Sequence, residues 1–538
     1  SGGKDSSSRA EKLWFLARYI QRYNKMGNTI LLSATPFTNS PLQIYSMLSF
    51  LNYEILYDAD LGILKDFFDT FAKIEYAEDF RTDLSIVKRN KFIGWTNVIS
   101  LQKFVYRVFD KSSPAEEDKA VVRPNKWTLP LKRQMIQGKL VEFAKENFIS
   151  TTIRMSDLQL ELWRNVRLYA QGELRYEELF APEKRNTTSL GKYVEKTAKK
   201  ATTDETEDGS AEVDIENTDD LADGNREEQK AKASAKALQC LMWGRQIALN
   251  PYLFKGSGFK KEPTGKDYVE ASPKLLYVME CIKSIKNFHE QNPDAKFYNP
   301  DQKRWVGGMS GQVIYMNFGT KAFELLRDYL VDVLGFDINE IGIIRGDANF
   351  IGKKRYDSKQ KVAQAFMGQE YDDATGETKF LEDSKRVKVL IGSESIKEGI
   401  NLQDYSSALY NCFLDFNPTD QVQVEGRIWR QGNAFANVRI VTPLMADCID
   451  IFMFQKLEDK TERINQIWTK NGNRNELDTT AFNPAELKYE LLTDPLAIAV
   501  LEREYKFDKL EEEKTQEGEM LSSYLSISAI FKKSLEIK

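Results

Sequence analysis

Residues 387–442 constrain this chain more than any other stretch, because apolar runs and polar breaks alternate there in a readable order. An apolar run, 387–391, breaks at Gly392 into a serine-rich turn, and a second, 408–416, stops at Asn417-Pro418. Gln423, Gly426, Arg427 and Arg430 follow in the pattern Q-x-x-G-R-x-x-R, and a third run covers 438–441. Short apolar runs bounded by turn residues read as buried strands, and the alternation predicts strand, loop, strand, helix, strand, part of a parallel α/β sheet. Arginines three apart share one helical face. Two guanidiniums at the mouth of such a sheet suit a polyphosphate, whose oxygens match the planar fork. Gly426 falls mid-helix, where glycine costs about 1 kcal/mol relative to alanine, so close approach of another surface is expected there.

At 538 residues the chain is expected to hold several domains. Its net charge of −5 excludes a generally basic surface, so any nucleic-acid contact is a local groove. No apolar run nears the roughly 18 residues of a membrane helix, and no signal-peptide pattern opens the chain. A soluble cytoplasmic protein with no membrane partner is the expectation. Cys240, Cys281, Cys412 and Cys448 lie far apart without a C-x-x-C pair, which predicts reduced core thiols and no disulfide or zinc site. His289 is the single histidine, so multi-histidine metal sites are excluded, and its polar surroundings predict an exposed structural role. No metal-ligating set is expected in this chain.

In chain order, residues 9–23 have helical spacing and 29–32 predict a short buried strand. That strand ends in the hydroxyl-rich loop 33–40, with Ser33 and Thr35, at the kind of strand end where open α/β sheets hold ligands. Residues 42–110 predict a mostly helical insertion, 148–155 a strand, and 157–170 a helix. Residues 182–228 are Lys/Thr-rich and then strongly acidic, too poor in apolar surface to offset ordering, and predict a disordered linker. A second α/β region opens with a helix at 272–288, then a hairpin insertion at 299–311 and strands at 313–316 and 341–344. A helix at 357–367 and a polar insertion at 369–384 follow. Beyond residue 442 a helix is expected at 447–468 and a charged helix at 495–517. The domains expected are 1–156, 157–271, 272–468 and 469–538.

These blocks resemble, in order, the motifs of superfamily-2 helicase-like ATPases of the Swi/Snf type, which act on double-stranded DNA. Residues 32–40 are similar to motif III, 245–254 to the segment before the second lobe, and 313–320 to motif IV. Residues 392–402 are similar to motif V, and 423–430 with Gly432 to motif VI. The resemblance covers about 9–453 and implies RecA-like lobes: a partial first lobe over 1–156 with its insertion, a helical linker over 157–271, a complete second lobe over 272–468, and a helical extension over 469–538. It implies ATP and Mg2+ as cofactors and duplex DNA as partner. Arg430 matches the arginine finger, Arg427 its companion and Gln423 the coupling glutamine. Gly399 and Asn401 match positions near the nucleotide, and Gly426 lies in the same block. Ser393, Ser395 and Thr320 fall where DNA phosphates are gripped, and Ser33 and Thr35 match residues that couple hydrolysis to DNA. Each of these hydroxyls also reads as a simple cap.

Two departures matter. Trp429 stands where many relatives carry histidine. No G-x-x-x-x-G-K-[ST] phosphate loop occurs, since residues 346–354 have the wrong spacing and no hydroxyl, and no D-E-x-[HD] box precedes residue 32. The chain is therefore expected to be the C-terminal portion of a longer or split ATPase, completed by a missing N-terminal lobe and inactive alone. The alternative is a hydrolysis-dead nucleic-acid- or protein-binding module that kept the fold. The tail around 483–495 also bears a weak likeness to phage and mobile-element proteins that join such a helicase to an adenine methylase, which would place it in a bacterial cell or phage-infected host.

Overall fold

The computed structural model describes residues 8–24, 29–32, 42–80, 86–110, 123–129, 133–136, 139–142, 151–171, 173–179, 239–300, 302–346, 348–372, 375–415 and 417–450, with 453, 454, 457 and 460. The chain divides into two compact units, Ser1–Pro484 and Ala485–Lys538, and every described residue belongs to the first. The expected linker at 182–228, most of the helix at 447–468 and the helix at 495–517 lie outside the described residues.

Eight strands make the central sheet: β1 Asn125–Leu129, β2 Gly311–Tyr315, β3 Ile341–Ile344, β4 Asn349–Ile351, β5 Lys354–Tyr356, β6 Val389–Gly392, β7 Ser406–Asn411 and β8 Asn437–Val441. Their order across the sheet is β5-β4-β3-β6-β2-β7-β8-β1. The six strands from β3 to β1 run parallel, while β4 and β5 close the other edge as an antiparallel hairpin. Every residue of β2, β3, β6 and β7 is buried, as strands covered on both faces require. Val313, Ile344, Leu390, Leu409 and Ile440 from five strands share one core with Phe366, Val424 and Ile428 from the helices Lys359–Phe366 and Pro418–Ile428. The parallel α/β class predicted from the sequence is the one observed.

The winding positions the site. From β2 the chain passes through the helix Phe323–Asp332 to β3, then returns to β6 beside β2, and only then crosses to β7 on β2's other flank. The direction of winding thus reverses at β2. The loops leaving β6 and β7 flank the crevice where open sheets of this kind take ligands. Within 346–354, the nearest approach to a phosphate loop, residues 349–354 belong to the edge hairpin instead. Gly352 turns between β4 and β5 at φ +58, with a Cβ there falling 3.0 Å from Asn339 Oδ1.

Three expectations are corrected. Residues 125–129, grouped by sequence with the N-terminal elements, pair in parallel with β8 as the outer strand of the main sheet. The attachment continues where Thr152–Ile153 lies parallel to Leu444–Met445, and Thr151 Oγ1 donates to the Thr442 carbonyl at 2.7 Å. The insertion at 42–110 is helical over Leu42–Asp58, Leu64–Phe71 and Val98–Val108, but Ala72–Phe80 and Ile86–Trp95 pair as an antiparallel hairpin between those helices, which helical spacing does not predict. Trp95 at its end reaches the core made by Leu48, Phe67, Phe71, Leu101 and Val105. Finally, Thr29–Leu32 is neither buried nor a strand. Ile30 is 81% and Leu32 93% exposed, because no described strand pairs with them.

Downstream, Ser272 caps the helix Pro273–Gln291, and Lys274 in its first turn meets Asp450 at 2.5 Å in a buried ion pair. Asp450 Oδ2 also accepts the Met445 N–H at 2.9 Å, so the pair ties this helix to the segment after β8. The four cysteines are free thiols. No described helix is long and apolar enough to cross a membrane.

His289 is half-buried, not exposed, and its Nε2 accepts the Ser310 N–H at 3.3 Å. Burial, with the nearby cations of Arg386 and Lys388, holds its imidazole below the ordinary value of 6.5. The neutral form is the one the fold binds. Its stabilisation is therefore complete above pH 6.5 and is lost as pH falls through the lowered folded-state value, because the unfolded chain takes the proton first. As the sole histidine, its imidazole resonances can be followed by NMR; a midpoint at or above 6.5 would contradict the assignment. Lys274→Ala, which strands Asp450 in the interior, is expected to cost roughly 3–5 kcal/mol in chemical denaturation.

Candidate active site

The helix Pro418–Ile428 begins where β7's apolar run ends. Asn417 is its cap, accepting the Thr419 N–H at 3.1 Å, and Pro418 takes the first position, where no N–H is needed. The helix stops at Ile428. Trp429 leaves helical geometry at ψ 77, Asn433 Nδ2 caps the Ile428 carbonyl at 3.1 Å, and Gly432 turns the chain at φ +86. Arg427 thus sits in the last turn and Arg430 just beyond the end, which corrects the expectation of one helical face carrying both.

The turn nonetheless brings the two guanidiniums to the same loop. Arg427 Nη1 donates to the Ile400 carbonyl at 3.0 Å, and Arg430 Nη1 donates to Asn401 Oδ1 at 2.7 Å. Arg427 is half-buried; burial first, then the neighbouring charge of Arg430, pulls its pKa below the usual guanidinium value, with Glu398 opposing. Its Nε is buried with no partner. Arg430 is exposed. Gln423 lies half-buried one turn before Arg427, and a Cβ at Gly426 would meet nothing within 4 Å. No neighbour among the described residues therefore demands glycine at 426.

The loop 393–402 is shaped by contacts on every side. Ser393 is buried, and its N–H donates to the Ile344 carbonyl at 3.0 Å. Lys359 Nζ donates to the carbonyls of Ser395 and Glu398 at 2.9 and 2.8 Å. Gly399 adopts φ +72, a left-handed conformation that only glycine enters readily. Thr320 opens a short 3-10 turn across the end of β3, where Arg345 Nη1 holds its carbonyl at 3.1 Å and pairs with Glu324. Arg427, Arg430, Gly399 and Asn401 therefore converge, Ser393 and Ser395 border them, and Thr320 lies one loop away. Ser33 and Thr35 lie outside the described residues.

Lys397 was not singled out by sequence. Its side chain is 5% exposed, and its ammonium reaches Asp420 at 3.0 Å, Asp415 at 3.2 Å and Glu394 at 3.5 Å. Asp415 also accepts Tyr315 Oη at 2.6 Å and Asn317 Nδ2 at 3.2 Å. Burial alone would lower the lysine, but three carboxylates outweigh it and hold the ammonium charged above its ordinary value. Asp420 is nonetheless raised, by burial, because one cation shared among three carboxylates does not fully offset desolvation. Flanked by Glu394 and Glu398, Lys397 reads in sequence as part of a solvated charge run.

Trp429 has a partner of its own. Its Nε1 donates to the Pro124 carbonyl at 2.8 Å, and Arg123 and Lys126 lie over its ring at 5.1 and 4.6 Å. Lys126 also pairs with Glu425 at 3.1 Å. The residue between the arginines is thereby docked to the approach of β1.

No protein-family model and no curated protein matches the chain. Among solved structures it is similar to the C-terminal part of the Fun30 ATPase domain, at 16% identity over 69% of this chain and 96% of that one, with a TM-score of 0.29. It is also similar to the SWI2/SNF2 ATPase core domain of Sulfolobus solfataricus, at 14% identity over 49% of this chain and 38% of that one, with a TM-score of 0.24.

Replacing Lys397 with Met leaves Asp415 and Asp420 uncompensated in a half-buried site and is expected to cost roughly 3–5 kcal/mol in urea unfolding. Adding Asp420→Asn should recover part of the loss; strict additivity of the two changes would mean that the groups are not coupled.

Proposed function

We propose that this chain is the arginine-bearing C-terminal portion of a helicase-like ATPase that moves along duplex DNA. The observation that carries this is the convergence of Arg427 and Arg430 on the 399–401 loop, with Arg430 exposed. Guanidiniums fixed in this way match phosphoryl oxygens, and charge building on a transferring phosphoryl group is what they stabilise. The partnerless buried Nε of Arg427 supports an anionic ligand beside it. Bound ATP would supply the phosphoryl group that leaves to water. Arg430, steadied by Asn401, would face that group's oxygens. Arg427, anchored on the Ile400 carbonyl, would hold the same loop against the helix, and Gln423 and the open space at Gly426 would meet the facing lobe.

Magnesium finds no ligand set among the described residues. Glu394, Asp415 and Asp420 are engaged with Lys397. Its ligands belong with the polypeptide that bears the phosphate loop. That partner is expected to cover the apolar side chains of Leu13, Leu16, Ile30 and Leu32, all exposed in this chain. Ser393, Ser395 and Thr320 would grip the DNA backbone, contacts that set register without reading sequence. Ser33 and Thr35 would couple hydrolysis to it.

In the protein complete with its phosphate-loop segment, Arg430→Ala should lower DNA-stimulated kcat by about a thousandfold or more while sparing DNA affinity. Turnover within a few-fold of wild type would remove Arg430 from the active site.

A further inference from the structure

Just before β2 begins, a hairpin pairs Lys296 with Gly307, Phe297 with Val306, Tyr298 with Trp305 and Asn299 with Arg304. Its inner side is locked. Asn299 is fully buried and donates to the carbonyls of Asp404 and Gly432 at 3.2 and 3.3 Å, and Gln302 Nε2 donates to Asp404 Oδ2 at 2.7 Å. Arg304 donates to the Leu381 carbonyl at 3.3 Å, and the Gly307 N–H donates to Asp383 at 2.9 Å.

The outer face is different. Side chains alternate across a strand, so Lys296, Tyr298 and Trp305 share the side away from Phe297 and buried Val306. Trp305 is 66% and Tyr298 45% exposed, with ring centroids 5.5 Å apart. Exposed Lys296 stands at the base of this pair, and exposed Lys303 lies in the turn at φ +51. Over residues 296–307 the charges are Lys296, Lys303 and Arg304 against Asp301, a net of +2. The cross-strand pair helps hold the hairpin, yet most of the indole remains in water on a scaffold already fixed from behind.

We infer that this hairpin face is a docking surface for single-stranded nucleic acid. Unpaired bases stack on exposed aromatic rings while ammoniums neutralise the adjoining phosphates. A duplex hides its base faces and would leave the rings unused. An apolar protein surface would cover the rings but strip water from the two exposed ammoniums. The inference does not rest on the proposed hydrolysis, and nucleotide is left out of its test.

The test is fluorescence anisotropy of a labelled oligothymidylate of about 16 nucleotides with the whole chain across a salt series. Salt-sensitive binding is expected. Trp305→Ala should weaken it roughly five- to hundredfold, Trp305→Phe should retain most of it, and Lys303→Glu should lower the salt slope by about one or more. The side chains are largely exposed, so each variant should melt within a few degrees of wild type. Binding of duplex DNA should be insensitive to Trp305→Ala. Equal single-strand binding by wild type and Trp305→Ala, or no binding at all, overturns the inference. So does a doubling of mass in light scattering that Trp305→Ala abolishes, because a second copy would then own the face.

Discussion

Three carboxylates meet one ammonium where the loop after β6, the end of β7 and the first turn of the Pro418–Ile428 helix come together. Each element alone has reason to move: a 3-10 turn, a strand terminus and a helix N-terminus. Lys397 makes their positions mutually dependent. It comes from the loop that carries Gly399 and Asn401, and Asp420 belongs to the helix that carries Gln423 and Arg427. The contacts of Arg427 with Ile400 and of Arg430 with Asn401 close the same two elements from their other ends. A loop and a helix clasped at both ends leave the guanidiniums little freedom, which is what an electrostatic site requires of groups that must be in place before charge develops.

The parallel strands were legible because each is an apolar run cut off by Gly, Asn or Pro, and a sheet buried on both faces leaves that mark. The convergence of the arginines with Gly399 and Asn401 was legible too, since the two blocks are the crossovers that enter and leave β7 and so pack side by side. Where the helix stops was not. Nothing before Gly432 is a strong terminator, and the actual end depends on Asn433 reaching back to Ile428. Lys397 was hidden because a lysine between glutamates looks alike in solvent and at a buried node. The hairpin over residues 72–95 was hidden because spaced aromatic and aliphatic residues serve either period.

The pairing of residues 125–129 with β8 had no local signal at all. NKWTL is an ordinary strand sequence, and its partner lies more than 300 residues later. Trp429 does carry a trace of it, as the one aromatic in the block 423–430. Its indole is fixed by the Pro124 carbonyl and two cations, contacts that no inspection of residues 423–430 in isolation could supply.

That borrowed strand means residues 272–468 are not a self-sufficient body. An excised piece beginning after residue 129 would keep β8 but present it as a raw edge, with its ladder of N–H and C=O groups open to any passing strand. The indole of Trp429 would lose its carbonyl and both cations at the same cut. The boundary that the motifs draw and the boundary at which the protein is sealed against self-association are therefore different, and they differ by the whole stretch from β1 to residue 271.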